Sequence, residues 1–460
     1  MKKVTLRAYS TVLLALLVIV GLIVYVIRYI DDGASWALYF DETTTKCTYT
    51  LTDRNGVVLA KMGGGEKSYA EDASVRIACY QLVGDYGGNV GTGALTGFRK
   101  QLSGYSLITG VSEGSDVELK LNVDSRLNQT AYAALAGRKG SALVVNYKTG
   151  ELICMVSSPS MDPLNVPETL PDGVYLNRCL SSTFTPGSVF KLVTLAAAID
   201  NIDDLNSRSF TCTGSIELGG KTVTCSGVHG TQNIEQAFAN SCNCAFGQLA
   251  MDLGAETLGS YAEKLGICSA HDLNGIKTAA GNFTEDKSES SYLAWSGIGQ
   301  YEDLVCPYSM LRIVSAIANG GSLNEPSLLG SSTGTETLLS RETADKIADM
   351  MSYNVQYKYG AENYPGLALC AKTGTAEVGN GQQSHAWFVG FLNDAQHPYA
   401  FVVLVENGGS GRGAAAPAAV GVDGYLRYEP DHAAEALRLP SQMRFCSRRW
   451  HYLKFTEEHK

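Results

Sequence analysis

Over residues 1–30 the chain sorts its polarity into blocks. Lys2, Lys3 and Arg7 come first, Thr11 to Ile27 runs without a charge, and Asp31 and Asp32 follow. With its flanks this run approaches the ~20 apolar residues that cross a bilayer as a helix. Tyr9, Tyr25 and Tyr29 border it as interfacial aromatics do. Basic residues before the span and acids after it predict a cytoplasmic N-terminus and an exported body. A cleaved signal peptide would have a shorter apolar core, about 7–15 residues, and a small-residue cleavage motif. No A-x-A site follows the run, so a retained anchor is the expectation.

Past the anchor the pattern shifts toward period two. "TYTLTDRNGVVLA" alternates apolar and polar positions around Asn55-Gly56, a hairpin signal. "GDYGGNVGTGAL" is loop, because it lacks the strand-before, helix-after setting of a nucleotide-binding glycine motif. Ala142–Asn146 and Glu151–Ser157 read as two strands joined by a turn ending at Gly150. A long middle region with several helical stretches follows, including "NIEQAFANSCNCAFGQLAMDLG" and "YSMLRIVSAIANGG". Strand character returns in "LALCAKTGTAEV", "HAWFVGFLN" and "PYAFVVLVEN". Two strands early, helices between and three strands late predict an α+β domain. Its single antiparallel sheet carries a helical insert and closes only when both ends of the segment meet.

Composition alters this picture little. At 460 residues there is room for two or three domains, and a formal charge of −10 argues against a nucleic-acid surface. The 12 cysteines matter more, since an exported chain permits disulfides. Cys212 and Cys225 flank the Gly219-Gly220 turn of "FTCTGSIELGGKTVTCSG", which reads as a hairpin, and are the expected pair if any forms. Neither C-x-x-C nor H-x-x-x-H occurs, so no metal is expected.

The candidate chemistry begins at "STFTPGSVFKLVTLAAAID". Ser188 and Lys191 are three residues apart where a Pro-Gly turn enters a helix, and i,i+3 positions share a helical face. A neutral amine beside a hydroxyl is a base–nucleophile pair if burial or nearby cations lower the lysine pKa. The free N–H groups of a helix start favour an oxyanion. Taken alone, S-x-x-K is better explained as a helix-start serine and a solvated lysine. It is, however, the one S-x-x-K in the chain. S-x-N occurs at Ser241–Asn243, Ser322–Asn324 and Ser352–Asn354, and K-T-G at Lys148–Gly150 and Lys372–Gly374. Lys148 reads as a solvated turn residue, whereas Lys372 leads into the late strands.

"TPGSVFK", "NSCN" and "AKTGTAE", in that order, resemble the three motifs of penicillin-binding proteins and serine β-lactamases. "LTDRNGVVLA", "VVNYKTGELICMVSSPSMDP", "LNRCLSSTFTPGSVFK", "IGQ", "IANGG" and "HAWFVGF" extend the resemblance over nearly the whole chain, to the class B penicillin-binding proteins. These are membrane-anchored, monofunctional peptidoglycan D,D-transpeptidases with no cofactor. The resemblance implies that Ser188 attacks the penultimate D-alanine carbonyl of a stem peptide and that Lys191 takes its proton. Ser241 relays a proton toward the leaving amine, and Asn243 holds the substrate amide. Lys372 supplies positive charge that lowers the Lys191 pKa and attracts the terminal carboxylate. Thr373 and Thr375 bind that carboxylate beside Gly374, and the N–H groups of Ser188 and Thr375 form the oxyanion hole. β-Lactams would acylate the same serine.

The division this implies is a cytoplasmic tail and transmembrane anchor over 1–30, a non-catalytic pedestal over 31–136, a transpeptidase domain over 137–424 and an unassigned tail over 425–460. So short a pedestal leaves no room for a fused glycosyltransferase, and the implied partner is a SEDS-family glycosyltransferase serving elongation, division or sporulation. Tyr301 stands where the family usually has glycine, and Cys242 inside S-x-N reads as a small hydrophobe. A D,D-carboxypeptidase, a β-lactamase, and a β-lactam sensor or structural division protein with a vestigial site are the alternatives. None of the triplets is broken.

Overall fold

The computed structural model describes residues 2–39, 48–103, 105–106, 110–111, 116–283, 290–332, 334–364, 366–379 and 381–416. The tail expected over 425–460 lies outside the described residues. Helix α1, Lys2–Tyr39, contains the apolar run, and Arg7–Ile30 within it is long and apolar enough to span a membrane. The Val, Leu and Ile side chains from Val12 to Ile27 are exposed, the arrangement of a helix whose partner is lipid or another chain.

Strands β1 (Thr48–Thr52) and β2 (Val58–Gly63) form the hairpin expected around Asn55-Gly56, with Gly56 at φ 83°. Buried Asp53 fixes the turn: its Oδ1 accepts from the N–H groups of Asn55 and Val57 at 2.8 and 2.9 Å. Its Oδ2 accepts from the Ser125 hydroxyl at 2.7 Å. Strand β3 (Glu66–Tyr69) pairs with β2, while β4 (Asp116–Lys120) joins the other edge of β1 in parallel, giving the order β3-β2-β1-β4. Helix α2, Ser125–Leu135, is capped by Asp124, whose carboxylate accepts from the N–H groups of Arg126 and Leu127.

Strands β5 (Gly140–Asn146) and β6 (Leu152–Ser158) precede the helical insert, which contains α3 (Lys191–Asn201). A small β excursion follows: β7 (Phe210–Cys212), β8 (Ser215–Leu218), β9 (Lys221–Thr224) and β10 (Gly230–Gln232). The insert continues with α4 (Ile234–Ala239), α5 (Asn243–Lys264), α6 (Pro307–Ala318) and α7 (Arg341–Asn354). Strands β11 (Leu369–Ala376), β12 (His385–Leu392) and β13 (Tyr399–Val405) complete one sheet in the order β11-β12-β13-β5-β6, antiparallel throughout. The expected closure is observed: β13 pairs with β5, Val402 opposite Leu143.

Alternation divides this sheet into two packed faces. Leu143, Val145, Trp387, Val389 and Leu404 pack toward the helical insert, in one cluster with Phe190, Phe246 and Leu311. Val144, Val156, Phe388, Phe401 and Val403 pack against Leu127, Ala131 and Leu135 of α2. Because both faces are covered, the strands read as continuous apolar runs instead of alternating ones.

Candidate active site

Ser188 lies in a 3₁₀ turn, Gly187–Val189, that runs directly into α3. Gly187 has φ 55°, and a Cβ on it would stand 2.5 Å from the Thr375 carbonyl oxygen. Glycine is therefore needed twice over, for its backbone angle and for close approach to β11. The Gly187 N–H donates to the Gly299 carbonyl at 2.7 Å, and the Trp387 indole donates to the Thr185 carbonyl at 3.0 Å. The turn is thus clamped between the sheet and the "IGQ" segment.

One helical step on, the Lys191 side chain is fully buried. Its Nζ lies 3.2 Å from Ser188 Oγ and 3.3 Å from Ser241 Oγ. It donates to the Ser241 carbonyl at 2.6 Å and to Asn243 Oδ1 at 2.8 Å, and it lies 5.6 Å from the centre of the Phe246 ring. Burial lowers the Lys191 pKa to about 8.

The Ser241–Asn243 segment breaks one long helical stretch into two. Helix α4 begins with a capping box between Asn233 and Gln236, and α5 begins at Asn243. Between them Ser241 adopts φ 54°, an uncommon state for a non-glycine residue and one that tends to mark functional positions. The Asn243 amide N–H₂ donates to the Thr224 carbonyl at 2.9 Å, so Asn243 binds Lys191 through its oxygen and ties down the end of β9 through its nitrogen.

On β11, the edge strand, Lys372 faces the insert and is fully buried. Its ammonium donates to Ser241 Oγ at 3.0 Å and to the Thr373 carbonyl at 2.9 Å, and lies 5.6 Å from the centre of the Phe238 ring. Burial, then the neighbouring charge of Lys191, hold the Lys372 pKa well below the ordinary lysine value. Gly374 packs under the turn, where a Cβ would sit 3.0 Å from the Pro186 carbonyl oxygen, and Thr375 is exposed along the cleft.

Thr373 leaves β11 on the face opposite Lys372. Its hydroxyl lies 3.2 Å from Tyr359 Oη, and its N–H donates to the same oxygen at 3.0 Å. A role for this hydroxyl in carboxylate binding means exchanging the Tyr359 contact. The sequence reading missed Tyr359, and nothing in its local pattern marks it.

The structure therefore gathers Ser188, Lys191, Ser241, Asn243 and Lys372 into one hydrogen-bonded group, with Thr373, Gly374 and Thr375 on the adjoining strand. The other motif copies lie elsewhere. Lys148 is exposed in the β5–β6 turn with its amine on Asn319 Oδ1 at 2.8 Å. Ser322–Asn324 forms a short strand, and Asn354 donates to the Ala371 carbonyl from α7.

One expectation about cysteines is corrected. Cys212 and Cys225 are free thiols, so the expected disulfide is not formed. The lack of short ligand spacings did not prevent convergence either: Cys212, Cys225, His229 and Cys242 meet through the β8–β9 hairpin and the start of α5. Tertiary contact, which local spacing cannot register, brings them together.

Residues 140–421 match the penicillin binding protein transpeptidase domain. Peptidoglycan D,D-transpeptidase PbpA of Mycobacterium tuberculosis is 30% identical over 367 residues, covering 69% of this chain and 74% of the relative. Stage V sporulation protein D of Bacillus subtilis is 28% identical over 323 residues, covering 63% of this chain and 50% of the relative. Among solved structures, the D,D-transpeptidase domain of a peptidoglycan glycosyltransferase from Eggerthella lenta superposes with a TM-score of 0.71 at 26% identity, covering 84% of this chain and 100% of that one. The penicillin G acyl-enzyme complex of Mycobacterium tuberculosis penicillin-binding protein A does so with 0.69 at 25% identity, covering 83% and 100%.

Proposed function

The chain belongs to the penicillin-binding protein transpeptidase family, and from that premise we propose how its residues divide the work of a peptidoglycan D,D-transpeptidase. The observation that carries the assignment is the environment of Lys191. A neutral amine has two N–H bonds and one lone pair. The Ser241 carbonyl and Asn243 Oδ1 take the two N–H bonds at 2.6 and 2.8 Å, and the lone pair is left for a hydroxyl. Ser188 Oγ at 3.2 Å supplies it. With its pKa lowered to about 8, Lys191 gives up its proton readily enough to act as general base near neutrality.

Ser188 then attacks the penultimate D-alanine carbonyl of a stem peptide. The O–H proton passes to Lys191, and the C–N bond to the terminal D-alanine breaks. Ser241, which touches both amines, relays the proton to the departing nitrogen. The acyl-enzyme is resolved by the amine of a second stem peptide, with the same groups working in reverse. The N–H groups of Ser188 and Thr375 receive the oxyanion, each worth about 2.7–4 kcal/mol of barrier. Lys372 attracts the terminal carboxylate, with Thr375 and the backbone of Gly374 lining its seat, and the substrate's negative charge favours the protonated amine that burial disfavours. A β-lactam follows the same path to a stable acyl-serine. Replacing Ser188 by alanine should abolish labelling by a fluorescent penicillin and leave the melting temperature within a few degrees of wild type. Labelling at the wild-type rate would remove Ser188 from the reaction.

An N-terminal helix of this length and composition fits a membrane anchor. We further infer that its N-terminus is cytoplasmic, that the catalytic body faces outward, and that the glycan strands are made by a SEDS-family glycosyltransferase contacted through α1 and the β1–β4 region. Gly21, where an added Cβ would meet nothing within 4 Å, allows close helix approach in lipid. Exchanging residues 11–27 for an unrelated span should reduce co-purification with the glycosyltransferase, and undiminished recovery would count against the contact.

A further inference from the structure

Four ligand-bearing side chains stand apart from the groups assigned to catalysis. Sulfur atoms of Cys212, Cys225 and Cys242 and a ring nitrogen of His229 all lie within 4.8 Å of one another. Cys225 Sγ is 3.6 Å from His229 Nδ1 and 4.0 Å from Cys242 Sγ. Tetrahedral zinc, with Zn–S near 2.3 Å, sets its sulfur ligands about 3.8 Å apart. Only a small contraction separates the two arrangements. Cys212 and Cys242 are fully buried, and Cys225 and His229 are half-buried.

We propose that Cys212, Cys225, His229 and Cys242 form a zinc site that fastens the β7–β10 excursion to the Ser241–Asn243 segment. Three sulfurs and one imidazole are a soft donor set, which suits zinc and does not suit magnesium or calcium. Binding balances as Zn²⁺ displacing three thiol protons, leaving three thiolates, one neutral imidazole and a net charge of −1 on the centre.

The scaffold around the four residues supports a metal staple. Within β7–β10, Phe210, Cys212 and Val223 are the buried apolar residues, Ile216 and Leu218 are only partly buried, and the strands are three or four residues long. So small an excursion buries little apolar surface, a deficit that metals and disulfides commonly offset. The ligands come from every part of it. Cys212 ends β7, Cys225 follows β9, His229 precedes β10, and Cys242 caps α5. Existing hydrogen bonds already order them: the His229 N–H donates to the Cys212 carbonyl at 3.2 Å, the Cys225 N–H to the Gly214 carbonyl at 2.9 Å, and the Asn243 N–H to Cys225 Sγ at 3.2 Å. That last bond is the kind a metal-bound thiolate accepts.

The consequence for the active site follows from chain position. Cys242 lies between Ser241, held at φ 54°, and Asn243, whose amide holds Lys191. Fixing the Cys242 sulfur fixes the backbone of both neighbours. This coupling rests on the catalytic roles proposed above, whereas metal occupancy does not.

The full chain, purified in detergent without added metal, is assayed for zinc by elemental analysis, then stripped with a chelator under reducing conditions and titrated with Zn²⁺ or Co²⁺. The expected results are about one zinc per chain and, with cobalt, the visible bands of a tetrahedral centre together with thiolate-to-metal charge transfer. Cys225→Ser and His229→Ala should each lower zinc content and alter the cobalt spectrum. If either variant fails to fold, the wild-type titration alone decides. A protein that arrives metal-free and takes up neither ion after reduction overturns the site, as does recovery of two of these cysteines as a disulfide. The second readout is labelling by fluorescent penicillin, expected to slow ~10-fold on stripping and to recover with zinc. Equal labelling of stripped and loaded protein overturns the fastening of Ser241–Asn243 while leaving the metal site in place. Failure of both forms to label, with zinc bound, refutes the catalytic reading instead.

Discussion

Replacing Gly187 by alanine removes none of the proposed catalytic groups and tests whether the nucleophile turn must touch β11. At φ 55° the new residue would adopt left-handed backbone, which costs an L-amino acid roughly 1–2 kcal/mol. Its Cβ would stand 2.5 Å from the Thr375 oxygen and 2.9 Å from Ala376 Cα. Both are backbone atoms, so no rotamer relieves the overlap. Overpacking of this kind costs about 1–3 kcal/mol. Turn and strand must part by about 1 Å, a misplacement that can be worth 10²-fold in rate. Ser188 is the next residue, so the separation falls between its oxygen and the Thr375 N–H. Gly56→Ala is the control: Gly56 has φ 83° and no atom within 4 Å of a built Cβ, so it carries the strain without the overlap. The assay is the second-order rate constant for labelling by fluorescent penicillin, alongside thermal unfolding. Both variants should melt at a lower temperature than wild type, and only Gly187→Ala should label ~100-fold more slowly. Equal labelling of the two variants would refute the claim that contact between turn and strand sets the nucleophile.

The two K-T-G triplets provide a paired comparison. Lys372→Ala, which empties a buried position touching Ser241, should slow labelling severely, while Lys148→Ala at an exposed turn should leave it near wild type; similar rates would misplace the site. The pH dependence has a definite sign. Burial lowers the Lys191 pKa, so its proton leaves at lower pH than for an exposed lysine, and the labelling rate should climb as pH rises and level off above about 8. A rate unchanged from about pH 6 to 9 would exclude Lys191 as the base.

What the sequence disclosed was mostly what local chemistry enforces. The strands from Gly140 to Ser158 and from Leu369 to Val405 were legible because two buried faces make them unbroken apolar runs. Ser188 and Lys191 were legible because i,i+3 spacing survives any tertiary context. The β1–β4 pairing was not, since a parallel register across about 70 residues leaves no local trace. Ser241 was found as a letter in a motif, but its left-handed backbone was not, because only the junction of α4 and α5 imposes it. The cysteine–histidine cluster was hidden for the same reason: its members are brought together by a hairpin and a helix start, and their spacing matches no short pattern.

The pairing of β13 with β5 also bears on when the protein becomes competent. Leu143 and Val402 meet across about 260 residues, a separation that makes folding slow and leaves the early strands waiting. On the ribosome, Ser188 and Lys191 emerge well before β11, the strand that supplies Lys372 and the wall against which Gly187 packs. A nascent chain carrying the nucleophile therefore has no finished site, and the β5–β6 hairpin presents an unpaired edge until β13 arrives. On the proposed catalytic roles, reactivity would be withheld until β11 has been made, while the sheet edge stays open to association until β13 arrives.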